Sequence, residues 1–444
     1  MPDAPQNVDI RDIRALMISH IDNAGISRLK VIPQDRVPSA LTRGSTISLS
    51  VGMLLAVDDF ATSTTAIDPT IGDLRGIPDS SALAWIDEEL GLAWAPSDLF
   101  ALDGMPHPTC QRSALKRIAS DSDYEFLVGM ELEFTLFRGT KDAPELAHSG
   151  PGYGTLPFLE LETWHLELLD ALRVAGVPVE QLHPEYESGQ IELSLAPRAP
   201  VRAVDDYVLA RMVVTRVALR HGFLVSFAPV AVLGGVSNGC HIHLSASASG
   251  SNIFFDPERE SGMAEDAEHM VGGIVGNLVD GLVLLGGSTL SFERLKPHHW
   301  AGAYACWGPS NREAAVRYMG GFAGYGAEQS NIEVKCADPA ANHYLAVAAL
   351  IGAATEGVRR RTPLPSAVRA DPAELTDAER TSLGVERFPT DLGNALDRYS
   401  ASTFFHDLLG PELFDSYRAV RARDWEAHRD LEGDDVAARV RWRY

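Results

Sequence analysis

The sequence predicts an α+β chain built from two units: a small β-rich unit over residues 1–105 and a larger one over 106–444. Three features carry the prediction. Brief runs of alternating polarity, punctuated by Gly, Pro and Asp, fill residues 26–95. Longer helical segments alternate with strands beyond residue 112, the order expected of an α+β or α/β unit. Between the two patterns lies a turn-rich joint, DGMPHPTCQR, at 103–112. A length of 444 residues suits two or three domains and allows a sizeable core.

In chain order, residues 8–22 read as a short helix, and ISRLKVIP, TISLSV, AWIDEE and GLAWAP as strands of the small unit. A helix is expected from near Ser113, with others at about 158–175, 205–221, 264–285 and 343–359. The last sixty residues look helical and charged.

Four strands of the larger unit share one pattern. In FLVGMELEFTLF, Val128, Met130, Leu132, Phe134 and Leu136 fall on one face and Gly129, Glu131, Glu133 and Thr135 on the other. GQIELSL opposes Ile191, Leu193 and Leu195 to Gln190, Glu192 and Ser194. CHIHLSAS opposes Cys240, Ile242 and Leu244 to His241, His243 and Ser245. NIEVKCA opposes Ile332 and Val334 to Asn331, Glu333 and Lys335. Any one of these strands alone reads as half of a sheet with a solvated face. Together they concentrate Glu and His, and neighbouring carboxylates such as Glu131 and Glu133 repel unless a cation lies between them. With Glu185 added, five carboxylates and an imidazole suit Mg²⁺ or Mn²⁺ better than a structural zinc. Divalent ions on such a face imply phosphoryl transfer, with Arg294, Arg312 and Arg317 downstream as clamps for phosphate and carboxylate groups. No phosphate loop of the GxxxxGK[ST] type is present. GGVSNGCH at 234–241 is either a loop whose backbone approaches a ligand or a plain hairpin connection.

The charge balance excludes other classes. Lys+Arg 38 against Asp+Glu 61 gives 38 − 61 = −23, with no dense basic run, so nucleic acid is not an expected partner. Four isolated cysteines without a CxxC pair argue against a disulfide framework and a thiolate zinc site. The polar, acidic start is unlike a signal peptide. The apolar stretch 271–286 is broken by Asn277 and Asp280, and 344–354 is too short to span a bilayer. A cytoplasmic protein without a membrane partner is expected.

Taken in order, GMELEF, HPEYESGQIE, SNGCHIHLS, SFERLKP, NREAAVR and NIEVKCADPAANHYL resemble the glutamine synthetase family of the bacterial type. The resemblance implies a small β-grasp-like domain before a catalytic domain with a curved antiparallel sheet flanked by helices. It implies ATP-dependent activation of glutamate as γ-glutamyl phosphate, two or three Mg²⁺ or Mn²⁺ ions per site, and homo-oligomers of stacked hexameric rings whose neighbours complete each site. By the same resemblance Glu133, Glu185 and Glu192 hold one ion, and Glu131, His241 and Glu333 the second. Arg294, with Gly239 and Lys335, binds glutamate; Arg312 and Arg317 handle the transferred phosphate; Glu180, His243 and Ser245 contact the nucleotide. Arg312 and Arg294 are the catalytic candidates.

The departures matter equally. Where the family reads R-L-x-P-G-Y-E-A-P, this chain reads RLKPHHWAG, so Trp300 replaces the glutamate that takes a proton from ammonium. The small-unit segment that supplies an aspartate to the ammonium pocket corresponds to TISLSVG at 46–52, which has no carboxylate. Lys335 replaces an arginine, exchanging a bidentate clamp for a point charge. A general base contributes roughly 10²–10⁴-fold, so ammonia becomes a poor acceptor while the phosphorylation half stays intact. Trp300 offers a flat apolar surface able to pack an alkyl chain or face a cation. The expected function is a glutamate–amine ligase acting on a polyamine or small monoamine, with Trp300 in the acceptor pocket. The alternatives are an ordinary ammonia-dependent glutamine synthetase and a catalytically silent nitrogen-sensing relative.

Overall fold

The structure, a computed structural model, describes residues 8–235 and 237–444. Its first element overturns an expectation: the segment read as a helix forms strand β1 (Ala15–Ile21). β1 pairs antiparallel with β2 (Ser27–Pro33) on one side and parallel with a later strand on the other, so non-local hydrogen bonds decide its conformation. β3 (Ser45–Ser48), β4 (Asp73–Pro78), β5 (Ala84–Asp87) and β6 (Leu92–Phe100) complete a six-stranded sheet ordered β2-β1-β6-β4-β3, with β5 beside β6.

The second sheet has eleven strands. β7 (Glu125–Thr140), β8 (Ala143–Leu146), β9 (Val179–Pro184), β10 (Gln190–Arg198), β11 (Leu224–Ser226), β12 (Ile242–Ala248) and β13 (Ser251–Asn252) come from its first half. β14 (Tyr304–Pro309), β15 (Ala314–Met319), β16 (Asn331–Val334) and β17 (Glu386–Arg387) come from its second. The order is β17-β14-β15-β16-β12-β7-β10-β9, with β8 and β11 on β7 and β13 on β12. The sheet is not wholly antiparallel as expected, because β14 and β15 pair parallel.

The apolar faces read from the sequence are the core. Val128, Met130, Leu132, Phe134, Ile191, Leu193, Ile242, Leu244, Ile332 and Val334 are buried in one cluster. Helices Pro200–Arg220, Glu265–Leu285 and His343–Arg360 contribute to that cluster, each near its expected position. Helix Glu265–Leu285 is long and apolar enough to cross a membrane by length and composition, but its apolar residues lie in this core. The helix expected near Ser113 spans Gln111–Ser120. Its Arg112 is buried between Asp79 just after β4, Asp98 on β6 and Asp205 of helix Pro200–Arg220, at 2.7–3.0 Å. That cross-link locks the two sheets together, because a buried guanidinium stripped of its partners is strongly destabilising. The polar side chains of these strands converge on the opposite face of the long sheet.

Candidate active site

Strand register assembles the polar face. Glu192 on β10 stands directly opposite Glu133 on β7, and Ser194 opposite Glu131. Further along, Gly129, His243, Glu333 and Arg317 form one row across β7, β12, β16 and β15. Of these, Glu131, Glu133, Glu192, His243, Arg317 and Glu333 line a cavity of about 880 Å³ together with Glu185, His241, Arg294, Trp300, Arg312 and Lys335. Two groups wholly within this cavity have the spacing of cation sites. Glu131, His243 and Glu333 offer ligand atoms within 4.8 Å of one another, as do His183, Glu185 and Glu192. His241, just before β12, adjoins the first group, with Nδ1 2.7 Å from Glu131 and 3.3 Å from Glu333.

The electrostatics fit a bound cation. Burial pushes the Glu133 carboxyl up, and the facing Glu192 charge adds to the effect. Burial likewise raises Glu185, to about 7, reinforced by Glu133 and Glu192. Burial would also raise Glu131, but hydrogen bonds from His241 and His243 outweigh it and hold the group well below the carboxylate range. Glu333 is held at about 2 because Lys335, 2.9 Å away, and the two histidines overcome its burial. His243 rises to about 9 against its own desolvation, through Glu131. Three mutually repelling carboxylates at one end of a buried cavity are a donor set for a divalent ion, which supplies the missing positive charge. Protons compete with it at Glu185, near 7, and at His183, which its bond to Glu192 raises to about 9, so Mg²⁺ or Mn²⁺ affinity is expected to climb as pH rises through both values. Calorimetry in two buffers of different ionisation enthalpy is expected to show proton release on binding at both pH 6.5 and pH 8.5, falling off once pH passes about 9.

Arg294 is buried, and its Nη2 donates to the Lys335 carbonyl at 2.9 Å while Nη1 has no hydrogen-bond partner. A Cβ at Gly239 would lie 2.6 Å from that Nη2, so only glycine lets the guanidinium take this place. Arg317 donates to Glu333 at 3.0 Å, and its Nε is likewise buried and unpartnered. Two such guanidinium groups are poised for oxyanions.

The 298–300 loop closes one side. His298 and Trp300 take left-handed φ values of 64° and 52° without being glycine, each at a cost of about 1–3 kcal/mol. The Trp300 ring is half exposed, meets Tyr186 edge-on at 6.5 Å, and carries the Arg312 guanidinium 5.7 Å from its centroid.

Not every predicted site residue gathers here. Glu180 is exposed at a register shift between β9 and β10, and the neighbouring Gln181 lines the cavity instead. Ser245 follows His243 on β12 opposite Leu127, outside the lining. Residues 46–52 lie on and after β3, away from this cavity. Conversely, sequence reasoning passed over His183 and Tyr153, and put Gln190 on the polar face without a role. Strand alternation in HPE puts His183 on the face of Glu185, a signal that was available. Gln190 donates to Glu133 at 3.1 Å, and Tyr153 bonds Glu185, which together with burial raises the phenol.

Comparison with known proteins agrees with this geometry. The glutamine synthetase catalytic domain matches residues 108–435. A γ-glutamylpolyamine synthetase, GlnA3 of Streptomyces coelicolor, is 38% identical over 438 residues, 97% of this chain and 94% of that protein. A glutamine synthetase of Methanosarcina mazei is 26% identical, over 96% of this chain and 94% of its own length. A crystal structure of a glutamine synthase homolog superposes with a TM-score of 0.86 at 28% identity, covering 97% of this chain and 99% of that one. Apo GmaS shares the fold, with a TM-score of 0.83 at 22% identity over 98% of both chains. The chain therefore belongs to the glutamine synthetase family.

Proposed function

We propose that this protein is an ATP-dependent ligase that joins the γ-carboxylate of glutamate to a primary amine, a polyamine or small monoamine, through γ-glutamyl phosphate. The observation that carries the reading is one cavity lined by Glu131, Glu133, Glu185, Glu192, His241 and Glu333, by Arg294, Arg312 and Arg317, and by Trp300 where the family keeps a carboxylate.

Glu133, Glu185 and Glu192, with His183 against them, and Glu131, His241 and Glu333, with His243, would hold the Mg²⁺ or Mn²⁺ ions, two or three per site. The ions supply charge neutralisation on the triphosphate. The unpartnered Nη1 of Arg294 meets the glutamate α-carboxylate, with Gly239 leaving room and Lys335 adding a point charge. A γ-carboxylate oxygen attacks the γ-phosphorus, the bond to ADP breaks, and Arg312 and Arg317 balance the charge on the transferred group. The amine nitrogen then attacks the γ-carbonyl carbon, losing a proton, and phosphate leaves. Glu180, His243 and Ser245 were the nucleotide candidates; of these only His243 lines the cavity.

Phosphate release measured with glutamate, ATP and a panel of ammonia, ethanolamine, putrescine, spermine and alkyl amines tests the reading. Turnover with one amine is expected to exceed that with ammonia by a wide margin; equal turnover would hand the assignment to an ordinary glutamine synthetase.

The reading extends to organisation. Residues 1–105 act as a small domain that completes the site of a neighbour, and 106–444 as the catalytic domain, in a ring-forming homo-oligomer. Sedimentation is expected to give a species many times the 48.1 kDa chain, and an active monomer would contradict the assembly. The four unpaired, buried cysteines fit a cytoplasmic location.

A further inference from the structure

We propose that Glu313 is a positioning residue for amine specificity: its buried carboxylate holds the 298–300 loop in the backbone shape that presents Trp300 to the acceptor. The proposal rests on the acceptor reading of Trp300 given above.

The loop cannot hold itself. Two of its three residues, His298 and Trp300, have left-handed backbones with full side chains, a conformation that non-glycine residues adopt only when their surroundings impose it. Glu313 is the group that imposes it. Its carboxylate is buried, accepts the Trp300 N–H at 3.0 Å, and faces the N–H of His298 as well. It makes no ion pair among the described residues; the N–H groups of Trp300 and His298 and the nearby His298 ring act against the burial of its carboxyl. The anchor is itself fixed. The Glu313 N–H donates to Asn311 Oδ1 at 3.0 Å, and Asn311 Nδ2 donates to the carbonyls of Val368 and Ala370 at 2.9 and 3.0 Å. On the other flank Asp371 lies 2.9 Å from His298 Nδ1. Because Arg312 sits over the Trp300 ring, the dipeptide Arg312–Glu313 grips both the ring and the backbone of one residue. Glu313 does not line the cavity, which separates positioning from catalysis.

Steady-state kinetics on the full-length protein with its best amine test this. Glu313→Ala is expected to raise the amine KM on the order of tenfold, the scale of losing a hydrogen bond to a charged group, with the KM values for glutamate and ATP unchanged. Glu313→Gln keeps an oxygen for the Trp300 N–H and is expected to recover most of the loss. Adding His298→Gly to Glu313→Ala is expected to lower the amine KM again, since glycine takes the left-handed backbone without strain. If Glu313→Ala does not fold, Glu313→Asp, which withdraws the carboxylate by one methylene, is scored in the same way. The proposal is overturned if Trp300→Ala raises the amine KM but Glu313→Ala does not, or if all three substrate KM values rise together. Should Trp300→Ala leave the amine KM unchanged, the acceptor reading fails instead. Glu313 is then judged on the loop itself: acrylamide quenching of Trp300 emission, taken by difference from Trp300→Phe, must still increase in Glu313→Ala.

Discussion

Glu133→Gln is expected to lower turnover about a thousandfold or more while leaving the metal-free protein at least as stable as the wild type. The first half follows from charge. A divalent ion contributes several kcal/mol of transition-state stabilisation, and about 4 kcal/mol is a factor of a thousand in rate. The second half follows from the shift of the Glu133 carboxyl. Burial and the facing Glu192 raise its pKa on folding, so the folded state binds that proton more tightly than the unfolded chain. Its ionisation therefore opposes folding as pH climbs above the ordinary carboxylate value. A glutamine has no such proton and still accepts the Gly239 N–H, which lies 2.7 Å from Glu133. The check is kinetics with saturating Mg²⁺ beside thermal melts in EDTA at pH 8. Full activity, or a lower melting temperature, would falsify the placement of Glu133 at the cation.

Exchanging Trp300 is expected to redirect the acceptor. Trp300→Ala loses the ring face and is expected to reduce amine kcat/KM by roughly 2- to 30-fold, the equivalent of about 0.5–2 kcal/mol for a cation on an aromatic face. Trp300→Glu restores a carboxylate at the position where the family keeps its proton acceptor, so ammonia-dependent turnover is expected to rise. The structure sets a ceiling on that gain. Arg312 already lies over the ring of residue 300 and will draw a new carboxylate into an ion pair, away from the incoming nitrogen. Residues 46–52 also bring no second acid. Parallel kinetics of the three forms with ammonia and with the best amine decide the matter, and a Trp300→Glu enzyme with less ammonia activity than the wild type would count against the assignment.

Much of the site was legible because strand alternation is a local rule. Glu131, Glu133, Glu192, His241, His243 and Glu333 are assigned to one face by period two alone, and the structure places them there. The core followed from the same rule with the sign reversed. Elements stabilised by distant partners were harder. β1 lies between β2 and β6, and its pairing overrode a segment that reads locally as helix. β4 was missed because Gly76 and Pro78 interrupt DLRGIP. A Cβ at Gly76 would lie 2.7 Å from the end of the Ile47 side chain on the neighbouring strand, so Ile47 would have to shift to admit one.

The sequence by itself determined which side chains are polar, which face each strand gives them, and that an acid is missing where Trp300 stands. Only the tertiary structure decided how those side chains are grouped. Register sets Glu192 against Glu133 and His243 against Glu333, and it brings His183 to Glu185 and Glu192. Glu313 is the plainest case: its partner is a backbone N–H in a loop held at left-handed φ, and neither a loop's backbone conformation nor a side chain's bond to it has a periodic signature in sequence. Alternation is a property of one strand, whereas register and loop shape arise from packing between segments far apart in the chain, and they exist only once the chain has folded.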